Sequence, residues 1–422
     1  MGGKAAIIYV LGFGFVMGYI ILNLTETANR AQGNMSNYAA ATESHNLALA
    51  GANVGLAKFY EDTSWRGTST QHLSQAFHGA FTYAVINGPG GRPLVRSISM
   101  VRGPRGIIKD TVEVMFGANS RQSFSLFAWL SNFEGNVFWI TGDTVWGRVH
   151  SNSMMHMSGS PVFMEKLTTS KGIDPKLGKG VNNAIFKNGF ETGVAPIDFP
   201  TDLSELFAAS TAGGRSYAGD VEVTLHAGSA GNNDGYALVY DAGGTQIDSI
   251  ALNDGIFNGV IAGSGRVSVS GTLDGQLSIA SMNDVYIVDD ILYENRDLSS
   301  SDDVLGLIGD NNVVIADNAA NSSDCTIYGS IFARDGSFTA ENWSKGSPRG
   351  ELHLFGSIVQ DERGPVGTFK GAGILKTGYS KRYRYDQRLG DPNFRPPYYP
   401  GFYTRSHAIS GWWESVHPPE FF

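Results

Sequence analysis

The opening of the chain limits what it can fold into. Ala5 to Leu22 carries no charge and is almost wholly apolar, and only Met1-Gly2-Gly3-Lys4 precedes it. At about 1.5 Å per residue this run spans about 27 Å as a helix, close to the hydrocarbon thickness of a bilayer. From Asn23 to about Asp62 the sequence stays free of proline and turns amphipathic. The pattern predicts one helix from residue 4 to about 61, roughly 85 Å long. A folded head cannot cover such a helix along its whole length. Lipid, and then sibling subunits, are the expected cover.

Within the apolar run Gly12, Gly14 and Gly18 recur, and Gly14 to Gly18 is a G-x-x-x-G. Glycine costs helix stability but lets helix backbones approach closely. Further on, Leu49, Ala52 and Leu56 share one face, which Phe59 and Tyr60 extend. The small residues Ala48, Gly51, Ala52 and Gly55 suit close docking on a sheet or on another helix. These seven small residues are the candidate assembly set. Glu43 and His45 interrupt the face and read as solvated or capping. A cleaved signal peptide fits less well than an anchor. The run exceeds the usual h-region of roughly 7–15 residues and no A-x-A site closes it.

The 422 residues suffice for a large core or two domains. Charged residues are only 17%, and 54 glycines accompany abundant Ser, Asn and Asp, as in many short strands joined by tight turns. With a formal charge of −9 and no basic patch, nucleic acid is not an expected partner. Cys325 is the only cysteine, which excludes an internal disulfide and a cysteine zinc cage.

Residues 63–123 read as a sheet packed on the helix, with strands at Phe81–Ile86, Leu94–Val101 and Ile107–Phe116. From 124 to 377 short β runs recur, each closed by Gly, Asn, Asp or Ser. Tyr328-Gly329-Ser330-Ile331-Phe332 and Phe355-Gly356-Ser357-Ile358-Val359 share a frame 27 positions apart. The fold class is therefore α+β: a long N-terminal helix, then a mainly β head. Repetition favours a parallel β-helix, or β-solenoid, over a sandwich or propeller. Residues from about 203 to 258 read as an antiparallel insertion. The aromatic, proline-rich stretch 378–422 reads as a cap on the solenoid.

Several clusters could carry chemistry. Asp143, His150 and His156 lie close in sequence, and the two histidines could share a strand face. Asp289-Asp290, and Asp302, Asp303 and Asp310, offer oxygen ligands of the kind Ca²⁺ takes, although turn chemistry explains the same residues. Arg363 and the run Lys381 to Arg388 could meet an acidic partner surface or anchor the tail. No catalytic residue and no nucleotide motif is expected, and calcium is the one candidate cofactor.

The cationic start, the apolar helix and "ATESHNLALAGANVGLAKFYED" resemble the N-termini of type IV pilin-like proteins, in particular the PilX-like minor pilins. Ala5 stands where major pilins carry a glutamate, and Lys4 where mature pilins are apolar. The runs "GDTVWGRVHSN", "GQLSIASMNDVYIVDDILYE" and "GYSKRYRYDQRL" resemble a domain of unknown function in predicted pilus- or secretion-associated proteins. The resemblance implies a structural subunit, not an enzyme. It would wait in the inner membrane, meet pilus or secretion assembly machinery, and polymerise through its N-terminal helices into an extracellular filament. The β head would then be exposed for adhesion. The alternative is a membrane-anchored β-helix protein that binds glycans or degrades polysaccharide.

Overall fold

The structure is a computed structural model that describes residues 2–62, 65–72, 79–117, 120–229, 234–370, 374–404 and 409–414. Met1 lies outside the described residues. The chain divides into two compact units, Met1–Ser120 with Tyr403–Phe422, and Arg121–Phe402.

In the first unit, helix α1 (Gly2–Glu61) runs unbroken for 60 residues. Its polar residues stay helical by bonding backwards. Asn23 Nδ2 donates to the Tyr19 carbonyl at 3.0 Å, and Thr25 and Thr27 donate to Ile21 and Asn23 at 2.8 Å each. From Ile7 to Leu24 the large apolar side chains are exposed. The last third buries Leu47, Ala48, Ala52, Leu56 and Phe59 instead.

That buried face lies on an antiparallel sheet of β1 (Gly67–His72), β2 (Gly79–Asn87), β3 (Pro93–Gly103) and β4 (Gly106–Phe116). Alternation puts Phe81, Tyr83 and Val85 of β2, Val95 and Val101 of β3, and Val112, Val114 and Phe116 of β4 into two small cores beneath the helix. Ser44 and Ser99 share a buried hydrogen bond of 2.8 Å. His45 is neither solvated nor a cap. Its Nδ1 lies 2.8 Å from Asp110 and its Nε2 3.3 Å from Glu414. Glu414 arrives on a fifth strand, Ile409–Glu414, which pairs with the free edge of β4. Residues 409–414 therefore belong to this sheet and not to a solenoid cap, because an open β4 edge offers main-chain partners that a proline-rich tail lacks.

The second unit is β-rich and its sheets are mixed. Most pairs are parallel. Val260–Gly263, Gln276–Ser281, Val304–Gly309, Cys325–Ala333 and Pro348–Glu362 pair in succession in one ladder. Val267–Leu273, Val285–Tyr293, Val313–Ile315 and Phe338–Ala340 form another. The first ladder continues from Pro348–Glu362 onto Trp129–Phe133, then Val149–Ser151, Leu167–Thr169 and Phe190–Thr192. The earliest strands of the unit thus stack beyond its late ones.

Residues 193–203 return the chain along the ladder. Asn152 holds Ile197 like a backbone partner, donating to its carbonyl at 2.7 Å and accepting from its amide at 2.8 Å. Phe199 packs on Phe124 and Phe332. Helix α2 (Ser204–Thr211) then buries Leu206 and Ala209 in the same cluster as Val260, Ala280, Ile308, Phe332 and Val359. Tyr399 joins that cluster, and Ser278 Oγ donates to the Pro397 carbonyl at 2.5 Å. The proline-rich segment covers a ladder flank, since the outward apolar residues there need a cover as much as an open end does.

The expected insertion at 203–258 is narrower than its sequence texture. Arg215–Tyr217 and Val221–His226 pair in parallel with Val260–Gly263 and Val267–Leu273. Val221, Val223 and Leu225 are buried in the main core, so these strands belong to the ladders. Only Tyr236–Asp241 and Gln246–Ala251 add antiparallel strands, joined to Val221–His226. Gly367–Lys370 also pairs antiparallel, with Ile374–Tyr385.

Candidate functional site

The small residues of α1 separate into two sets. Beside Gly12, Gly14 and Gly18 a Cβ would meet nothing within 4 Å. Gly51 is pressed on Phe81 and Ser97, and a Cβ at Gly55 would lie 2.7 Å from Val95 and 3.3 Å from Tyr83. Ala48 and Ala52 are wholly buried in the same interface. Ala48, Gly51, Ala52 and Gly55 therefore serve docking within the subunit, which corrects their assignment to intersubunit assembly. Only Gly12, Gly14 and Gly18 remain on an open face.

The acidic turns do not converge. Asp303 is buried and accepts from the amides of Gly275 at 2.7 Å and Asn295 at 3.0 Å. Burial raises its carboxyl above the ordinary aspartate value. Asp302 lines a small cavity with Asp274. Asp310 lies elsewhere, paired with Arg334 at 2.5 Å. Asp290 accepts from the Thr326 amide at 2.7 Å. Among the described residues no group of three or more His, Cys, Asp or Glu could hold a metal ion.

Asp143, His150 and His156 also part company. A turn at Asn152-Ser153 puts the histidines on different strands, Val149–Ser151 and Met154–Ser158, so a shared strand face does not arise. His150 is buried between Thr168 Oγ1 and Asn152 Oδ1, each 2.8 Å away. Desolvation lowers its pKa below the ordinary histidine value. His156 lies 3.5 Å from Asp174. Asp143 lies 3.6 Å from Lys381.

The basic run 381–388 and Arg363 divide between core and surface. Arg363 is buried, donates to Glu134 at 2.8 Å and lies 4.1 Å from the Trp139 ring centroid. Glu134 accepts from the indole N–H groups of Trp129 and Trp139 at 3.1 Å each. Arg388 pairs with Asp386 at 2.7 Å and covers Phe394. Both arginines are structural.

Arg382 and Arg384 face outward on a groove of about 840 Å³ in the second unit. Its floor is three adjacent strands, Cys325–Ala333, Pro348–Glu362 and Ile374–Tyr385, whose register sets two rows of side chains. One row is Thr326, His353 and Arg382. The other is Tyr328, Phe355 and Arg384. Between them Ile327 and Leu354 point inward and are buried. Tyr328 and Phe355 have ring centroids 5.2 Å apart. Trp146, about half exposed, stands at one wall and Arg296 at the other.

The charges of the groove are partly used. Glu351 pairs with Arg382 at 2.6 Å and approaches His353 at 3.3 Å. Burial pushes Lys381 below the ordinary lysine value, against the pull of Asp143. Arg296 and Arg384 form no ion pair among the described residues. Sequence reading singled out the 381–388 run but missed Trp146, Arg296 and His353. No spacing rule brings residues 146, 296 and 353 together.

No family model matches the chain, and no curated protein matches it. Among solved structures, the crystal structure of the competence-associated pilin ComZ from Thermus thermophilus aligns over 89% of this chain and 97% of that one, at 11% identity and a TM-score of 0.38. A score at that level assigns no family.

Proposed function

We propose that this protein is a structural subunit that waits in a membrane on the first part of α1 and then polymerises through that helix into an extracellular, type IV pilus-like filament. One observation carries the reading. The most apolar window of α1 is 0% buried, while the end of the same helix is docked on its own sheet. Each large apolar side chain left in water forgoes about 1.5–3 kcal/mol. The run from Ile7 to Leu24 thus needs a cover worth tens of kcal/mol. Lipid provides one before assembly and sibling helices provide one after, with Gly12, Gly14 and Gly18 admitting close approach.

In this reading residues 124–377 form a β-solenoid head, which the succession of parallel pairs supports. The head is displayed for surface contact and carries no catalytic role. PilX-like minor status rests on the sequence resemblance alone. Negative-stain microscopy of full-length protein moved from detergent into detergent-free buffer tests the proposal. Filaments of uniform width are expected, and their loss in Gly14→Leu. Monodisperse monomers in lipid or detergent under every condition tried would overturn it.

A further inference from the structure

We propose that the groove over strands Cys325–Ala333, Pro348–Glu362 and Ile374–Tyr385 binds an acidic polysaccharide, with Arg384 and Arg296 pairing its carboxylates and Trp146, Tyr328 and Phe355 stacking on its sugar faces. The inference stands apart from the filament reading, since it concerns only the second unit.

Charge is the first argument. The chain carries a formal −9, yet Arg296, Arg382, Arg384 and His353 gather on this one groove. Glu351 engages Arg382 and His353. Arg384 and Arg296 remain to face a ligand. A guanidinium offers a planar fork matched to a carboxylate, so the expected partner carries carboxylates at intervals.

The floor supplies the second argument. Register places Tyr328, Phe355 and Arg384 on successive strands, about 4.8 Å apart in the direction across the sheet. An extended ligand lying across the strands would meet rings and then a cation. The partly exposed rings of Tyr328 and Phe355 suit the apolar face of a pyranose.

Chemistry also separates a sugar from a peptide. Extended peptides gain affinity mainly by main-chain bonds to a free strand edge. The floor strands Cys325–Ala333 and Pro348–Glu362 are already paired on both sides. What they present is side chains, which favours recognition through rings and charges.

Isothermal titration of the full chain in detergent micelles tests this with three probes: oligogalacturonate, a neutral oligosaccharide of equal length, and poly-L-glutamate. Oligogalacturonate should bind, more weakly as salt rises. Arg384→Ala and Trp146→Ala should each weaken it roughly tenfold, the size of one charge-assisted contact or one lost stacking partner. Lys166→Ala, which removes an exposed cation paired with Glu191 outside the groove, should change nothing. The far-ultraviolet spectrum and melting temperature of each variant show that it has folded. No binding of the acidic oligosaccharide, equal binding of the neutral one, equal or tighter binding of poly-L-glutamate, or affinity unchanged in folded Arg384→Ala and Trp146→Ala would each overturn the proposal.

Discussion

Gly51 of α1 lies directly on the ring of Phe81: a Cβ there would stand 2.6 Å from Phe81 Cδ2. The contact ties the end of the long helix to its own sheet. It separates two glycine populations that look alike in sequence.

Gly51→Leu should therefore unfold the helix–sheet unit and not merely block assembly. Overpacking a filled interface typically costs about 1–3 kcal/mol, and four heavy atoms against Phe81 and Ser97 should reach the upper end. Gly14→Leu meets open space and should leave thermal unfolding in detergent unchanged while abolishing filaments. Melting curves of the two variants, with microscopy, distinguish these outcomes.

Gly356 should be irreplaceable where its sequence twin is tolerant. At φ 151 its Cβ would run into the Gly329 carbonyl of the adjacent strand. At Gly329 the nearest atom to a Cβ, the Leu305 carbonyl oxygen, is 3.4 Å away. Gly356→Ala should destabilise the second unit by about 1–3 kcal/mol, with Gly329→Ala costing under about 1 kcal/mol. Urea unfolding of both variants is the check.

The buried pair Glu134–Arg363 should be costly to break singly. Either Glu134→Ala or Arg363→Ala leaves an uncompensated charge among Trp129 and Trp139, a loss of about 3–5 kcal/mol. The double variant Glu134→Gln with Arg363→Met should be less harmed than either single alanine. Chemical denaturation of the three variants beside the parent tests this.

His150 should make the second unit acid-sensitive. Its folded pKa is lowered by burial, from an ordinary 6.5. The Asn152 amide oxygen is fixed by the Ile197 amide, so Nε2 must donate to it, and Nδ1 is left to accept from Thr168, whose one hydroxyl hydrogen then takes this 2.8 Å contact over the Val149 carbonyl 3.3 Å away. The neutral ring satisfies both bonds. A base whose folded pKa is depressed contributes stability that is whole above 6.5 and is lost as pH falls toward the folded value. Unfolding midpoints should fall from pH 7.5 to pH 5.5, and His150→Gln should flatten that slope. An equal slope in the variant would refute the assignment.

Local pattern carried much of the fold. The absence of proline and the apolar run predicted α1 to within a residue or two at its C-terminal end. Apolar alternation predicted strands inside β3 and β4, and the turn Asn87-Gly88-Pro89-Gly90-Gly91 bounded the one predicted inside β2. β1, Gly-Thr-Ser-Thr-Gln-His, lacks that alternation and was not anticipated. The 27-residue frame was the most informative repeat. Tyr328 pairs with Phe355, Gly329 with Gly356 and Ile331 with Ile358, in register. Site chemistry was less legible, because proximity along the chain misled for His150 and His156 and was absent for Trp146, Arg296 and His353.

By itself, then, the sequence determined an exposed-or-anchored apolar helix, a β-rich remainder and a repeat spacing, since all three follow from periodicities of a few residues or from bulk polarity. Tertiary structure decided what those periodicities leave open. It turned the small-residue face of α1 inward onto its own sheet. It stacked Trp129–Phe133 beyond Pro348–Glu362, and it sent Ile409–Glu414 back to the edge of β4. Each choice is a contact between segments far apart in sequence. Such contacts are selected by which edges and apolar faces remain uncovered once local structure has formed, and no short-range pattern records that.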